Sequence, residues 1–280
     1  MIPFVLSKKR KKHLNFISMI YILIFYYHII LNFLTFRPLI TNITENNYEN
    51  TEIFFFPNQT CAYLWKSNAQ SKKILFYING FEGNCSTRFN IIKSIQNLLS
   101  DEYDIIQFDL SGFGLSSANE CNFSMIQLTL LENINYVMEQ YANSSDFSIM
   151  TENEGIVPIS KILINLIIQP KSLICFNAQN SMYDFMKNRY GKYLYPFYFS
   201  YQFDKEVSKH LNIYYQKFLP NTKFYFINND EFEEDDYDLY FKLDFISIEK
   251  KGILKIKGKG ATSLLLHENV DYLTEFFQQF

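Results

Sequence analysis

Residues 146–168, DFSIMTENEGIVPISKILINLII, decide the fold. Phe147 to Met150 is a short apolar run, Thr151-Glu152-Asn153-Glu154-Gly155 is a polar turn closed by glycine, and Ile156 onward is apolar again. The segment reads as a strand, a turn and a helix, the repeating unit of helix-covered sheets. Three further blocks of the same kind flank it. KKILFYINGFEGNCSTRFNIIKSIQNLLS (72–100) is a β-rich run, a loop and a helix with Ile91, Ile95, Leu98 and Leu99 at three-to-four spacing. YDIIQFDLSGFGLSS (103–117) ends in a glycine turn, and SLICFNAQNSMYDFM (172–186) is another strand with a polar continuation.

Taken together and in order, these blocks resemble the membrane-anchored α/β-hydrolases of the bud-emergence and depalmitoylase-like branch. Asn79-Gly80-Phe81-Glu82-Gly83-Asn84 is similar to that family's H-G-N-A-G-N oxyanion loop, and Asp109, Gly112, Gly114 and Ser116 match its D-Y-R-G-Y-G-K-S turn. The turn 151–155 stands where a serine hydrolase carries G-x-S-x-G, the nucleophile elbow. The resemblance implies an α/β-hydrolase fold, with a mostly parallel sheet and helices on both faces, over residues 50–280. It places the oxyanion donors at the N–H groups of Phe81 and Glu154, with Gly80 beside them. The nucleophile seat falls on Asn153, the triad acid on Asp230 in Asn228-Asn229-Asp230-Glu231-Phe232, and the histidine seat on Lys259, or on Gly260 one residue along.

Two of those three seats hold residues unable to perform the reaction. The nitrogen lone pair of an Asn amide is delocalised into the carbonyl, so no deprotonation gives a good nucleophile at neutral pH. An exposed lysine titrates near about 10.4 and is a cation, not a base. Asp230 is the triad member retained, and an Asp230–Lys259 ion pair is the expected relic. Glu152 and Glu154 flank Asn153 and are expected to point apart, the charge of Glu154 opposing a developing oxyanion. Cys85 has no histidine spaced to activate it, and His267 lies too far past the loop, at the start of the final helix. The resulting expectation is a catalytically inactive hydrolase relative that serves as a lipid- or acyl-binding or interaction module. The alternative is an active ester or thioester hydrolase.

The N-terminus reads as an address. Lys8-Lys9-Arg10-Lys11-Lys12 lie in a basic tail, 1–13, before LNFISMIYILIFYYHIILNFLTF (14–36), and a hydrocarbon core needs about 20 apolar residues. A single-pass signal anchor is expected, with a cytosolic N-terminus and a lumenal or extracellular domain of the endomembrane system. Residues 1–37 carry six of the 26 Lys and Arg and no acid, leaving 20 against 29 in the remainder. An acidic domain on a basic anchor argues against nucleic acid as a partner.

No cofactor is implied. The acidic run 230–238 lacks the glycine and spacing of a calcium loop, and Cys61, Cys85, Cys121 and Cys175 contain no C-x-x-C pair, so no metal is expected. Gly112-Phe113-Gly114 lacks the third glycine of a dinucleotide fingerprint. By the resemblance Cys85 and Cys121 follow neighbouring strands, which makes a bridge between them a geometric question. An aromatic-rich insert near 187–220, including YGKYLYPFYFSYQF (190–203), reads either as a packed cap or as an apolar mouth.

Overall fold

The computed structural model describes residues 51–67, 73–99, 102–116, 120–140, 146–191, 194, 198, 206–218, 221–229, 238–243, 246–258 and 261–278, with 17–23, 26–27, 29–31 and 35–36 of the N-terminal segment. Among them the strands are β1 (Thr51–Phe55), β2 (Cys61–Trp65), β3 (Lys73–Ile78), β4 (Tyr103–Asp109), β5 (Phe147–Glu152), β6 (Ser172–Phe176), β7 (Lys223–Asn229) and β8 (Lys251–Ile256). They form one sheet in the order β1-β2-β4-β3-β5-β6-β7-β8. Only β2 runs against its neighbours β1 and β4; every pairing from β4 to β8 is parallel.

Helices cover both faces: α1 (Phe89–Leu98), α2 (Phe123–Gln140), α3 (Ile156–Ile162), α4 (Met182–Tyr190), α5 (Val207–Phe218), α6 (Asp238–Lys242) and α7 (Val270–Phe277). The cause lies in the strands, which are apolar on both sides, as parallel strands buried between two helix layers must be. Phe76 on β3, Phe108 on β4, Ile149 on β5, Leu173 on β6 and Phe226 on β7 pack with Ile134 of α2, Ile159 of α3 and Leu211 of α5. Their sequence neighbours Tyr77, Met150, Ile174 and Ile227 point the other way, toward Ile92 and Ile95 of α1 and Leu273 and Phe276 of α7. Successive strands thus end along one edge of the sheet, and the loops after β3 and β5 meet there.

The described residues bear on two of the sequence readings. Among the described residues no helix is long and apolar enough to cross a membrane. Of the expected span 14–36, residues 17–23 are helical and exposed, but Leu31, Thr35 and Phe36 are buried against the domain. The ring of Phe36 sits 5.0 Å from that of Phe81 and 6.1 Å from that of Phe123. Those aromatics give Phe36 a protein environment where the sequence pattern implied lipid. The Cys85–Cys121 bridge is also absent, since all four cysteines are free. Cys85 directs its thiol to the Gln107 carbonyl at 3.4 Å, whereas Cys121 packs against Gly112.

Candidate functional site

The turn after β5 is a single 3-10 turn, Asn153–Gly155, leading directly into α3. Asn153 has φ +49°. Asparagine tolerates this left-handed conformation better than most residues with a Cβ, so the sharp turn persists without a serine. Gly155 is required by close approach: a Cβ there would lie 2.8 Å from the Asn79 carbonyl oxygen and 3.1 Å from that of Ile78. The same approach brings Gly80 against the elbow, where its Cβ would meet the Glu152 carbonyl and the Glu154 carboxylate at 3.3 Å. The β3 loop and the β5 elbow are therefore packed backbone to backbone.

This strand order with an elbow after the central strand decides the architecture. The chain has the α/β-hydrolase fold. An esterase of Pyrococcus furiosus superposes with a TM-score of 0.61 at 14% identity, over 88% of this chain and 96% of that one. A thermostable carboxyl esterase from Bacillus coagulans gives 0.57 at 11%, over 82% and 96%. The thioesterase domain from the curacin biosynthetic pathway gives 0.55 at 11%, over 83% and 100%. At these identities the likeness is one of fold. No family model matches the sequence, and no curated protein matches it.

The Glu154 side chain lies between the loop after β3 and the elbow. The main-chain N–H of Phe81 donates to Oε1 of Glu154 at 2.6 Å. Glu154 is 1% exposed. Burial pushes its carboxyl up to about 7, against the pull of its own N–H and that of Phe81; nearby Glu152 raises it further and Arg88 lowers it. Glu152 takes different partners, as expected. Arg88, at the start of α1, grips it with Nε on Oε2 at 2.7 Å and Nη2 on Oε1 at 2.6 Å, and the Tyr77 hydroxyl donates to Oε2 at 3.0 Å. A bidentate guanidinium–carboxylate pair of this geometry is among the stronger protein hydrogen bonds. It clamps the loop's helix to the elbow.

Asn153 forms the floor of a cleft of about 250 Å³ whose other lining residues are Gln179, Phe185, Asn188 and Arg189. Arg189 pairs with Glu82 of the β3 loop and lies 5.2 Å from the Phe185 ring and 5.4 Å from the Tyr190 ring. In the insert, Tyr198 is buried, its hydroxyl donating to the Gly191 carbonyl at 2.6 Å. Tyr190, Gly191 and Leu194, the other described residues of the run 190–203, are partly exposed.

Asp230, Lys259 and Gly260 lie outside the described residues, so the expected ion pair belongs to that undescribed part. Among the described residues a neutral link joins the end of β7 to the loop before α7. Asn229, the last residue of β7, accepts from the Ser263 hydroxyl at 2.7 Å, and its N–H donates to Oδ1 of Asn177 at 3.0 Å. Asn269 holds the same final loop through the carbonyls of Lys257 and Ser263, both at 2.8 Å. Arg88, Tyr77, Asn229 and Ser263 were not among the site residues expected from sequence. An arginine ten residues past the strand, or one asparagine in a chain rich in them, carries no distinguishing pattern.

The other candidate nucleophile fails on its environment. Cys85 is 1% exposed, and burial, then the neighbouring Asp109, raise its thiol well above the ordinary value. A thiol in that state supplies little thiolate. Asn84 is fully buried, its side-chain oxygen accepting from the Thr87 N–H at 3.0 Å.

Proposed function

We propose that this chain is a catalytically inactive α/β-hydrolase-fold protein that acts as a membrane-associated binding or interaction module. The observation that carries the reading is Asn153 at the left-handed apex of the elbow, where a hydrolase needs an ionisable nucleophile. Two further features support it. The Glu154 carboxylate lies on the Phe81 N–H, and none of the residues lining the cleft is a serine, threonine or cysteine. The histidine seat at Lys259 and the retained Asp230 belong to this proposal. The basic tail and the apolar segment 14–36 support membrane association, with the domain on the lumenal or extracellular side.

For a ligand we propose the polar end of a lipid or acyl compound. Carboxamides of Asn153, Gln179 and Asn188 with the Arg189 guanidinium supply hydrogen-bonding groups, and Phe185 supplies the one apolar wall. The second reading, an ester or thioester hydrolase, draws on the likeness in fold to two esterases and a thioesterase domain. Fluorophosphonate labelling of the membrane-expressed protein separates the two. The expected result is no labelling of the wild type; covalent modification of any serine of the chain would overturn the proposal and identify the nucleophile.

A further inference from the structure

We infer that the N–H groups of Phe81 and Glu154 form an intact carboxylate-binding site that the protein keeps filled with its own Glu154 side chain. The inference rests on reading the elbow and loop as a hydrolase-type oxyanion site. It does not depend on whether the chain catalyses.

The geometry argues for an internal ligand over an ordinary core side chain. A glutamate almost completely removed from water is rarely found without a countercharge. The nearest guanidinium, Arg88, spends both of its paired donors on Glu152. What holds Glu154 is main chain, the Phe81 N–H at 2.6 Å. It is one of the two donors that the resemblance assigns to an oxyanion, the other being the N–H of Glu154 itself. Oε2 has no hydrogen-bond partner among the described residues. The carboxylate is therefore held through one side only, as a bound carboxylate product would be. Nothing else occupies the space, because Gly80 has no side chain and a Cβ there would already touch Oε2 at 3.3 Å.

The chemical class of ligand follows. The site takes a planar carboxylate, and an external one competes with a tethered group of the same kind. In the wild type that competition favours Glu154, which is covalently attached and pays little entropy to stay in place. Deleting the tethered carboxylate while keeping both N–H groups should open the site to a small external carboxylate such as acetate.

The test uses the full chain with Glu154→Ala and Glu154→Gln, following thermal unfolding while acetate replaces chloride at constant ionic strength. Glu154→Ala should rise in Tm saturably with acetate, by several degrees, and should broaden the fluorine resonance of difluoroacetate. The wild type and Glu154→Gln, whose amide oxygen still accepts from Phe81, should do neither. A folded Glu154→Ala protein indifferent to acetate, or a wild type that responds equally, overturns the inference. Should Glu154→Ala fail to fold, the wild type decides alone. Carbonyl-¹³C glycine with ¹⁵N phenylalanine marks only the Gly80-Phe81 and Gly112-Phe113 amides. The Phe81 signal should titrate near neutral pH in the wild type and be flat in Glu154→Gln; a flat wild-type signal overturns the inference. The charged groups facing Glu154 are Glu152 on its own turn and Arg88 at α1, with Tyr77 of β3 bonded to Glu152. Failure here with silent fluorophosphonate labelling would leave the inactive-enzyme reading standing, and wild-type labelling would refute that reading while leaving the acetate result to be judged by itself.

Discussion

Glu154 links stability to pH in a direction opposite to most native carboxylates. Its folded-state value, about 7, is raised above the ordinary 4.5. The folded protein therefore holds a proton that the unfolded chain has released between those limits. The favourable contribution is complete below the unfolded value and is lost as pH rises through the folded one. Glu154→Gln removes this dependence. Its stability relative to wild type should increase between pH 5 and pH 8, by an amount on the order of 3 kcal/mol at most. Urea unfolding at several pH values checks this, and a constant difference would show that the carboxyl stays ionised. The same residue governs any attempt to restore catalysis. Asn153→Ser with Lys259→His should remain unlabelled by a fluorophosphonate, because the oxyanion donors are occupied; adding Glu154→Ala should permit labelling. Labelling of the double variant would mean that Glu154 leaves its site easily.

At the scale of elements, the strand β5, elbow and helix α3 hold their form through contact with the loop after β3, and Gly155 is where that contact is tightest. Gly155→Ala places a methyl 2.8 Å from the Asn79 carbonyl, and neither backbone can retreat without parting the two elements. Overpacking of this kind costs about 1–3 kcal/mol. Chemical denaturation should show it, whereas wild-type stability would mean that the loop shifts freely. Gly155 was legible in the sequence because glycine is the residue such contacts demand, and the strands were legible because their apolar runs are continuous. The Arg88–Glu152 clamp and the Asn229–Ser263 link were not. Each joins residues distant in sequence, 64 and 34 positions apart, and hydrogen bonding at that separation leaves no local period. Whether Cys85 and Cys121 are bridged was not legible either, for a related reason. Placement on adjacent strands fixes where two cysteines sit but not where their side chains point.

For the molecule as a whole, the open question is how the N-terminal segment joins the domain. Hydropathy alone treats 14–36 as one continuous span, yet its described residues divide. Ile17, Met19, Ile20, Tyr21, Ile22, Leu23, Tyr26, Ile29 and Ile30 are exposed, while Leu31, Thr35 and Phe36 are buried in the domain. The junction falls on the loop after β3, since Phe36 packs on the ring of Phe81, whose N–H holds Glu154. Phe36→Ala should therefore act at two levels in the full chain. Loss of a buried aromatic in contact with two others should cost about 2–4 kcal/mol in stability. Freed of that cover, the loop should also release Glu154 more often, so exchange of the Phe81 amide with deuterium should be accelerated while that of the β3 amides is not. Leu31→Ala removes buried area from the same segment without touching either ring, and it should lower stability without selective exchange at Phe81. Equal exchange in the two variants would reduce Phe36 to ordinary packing. Selective exchange in Phe36→Ala alone would mean that the segment proposed to meet the membrane also sets how firmly the anion site is held closed.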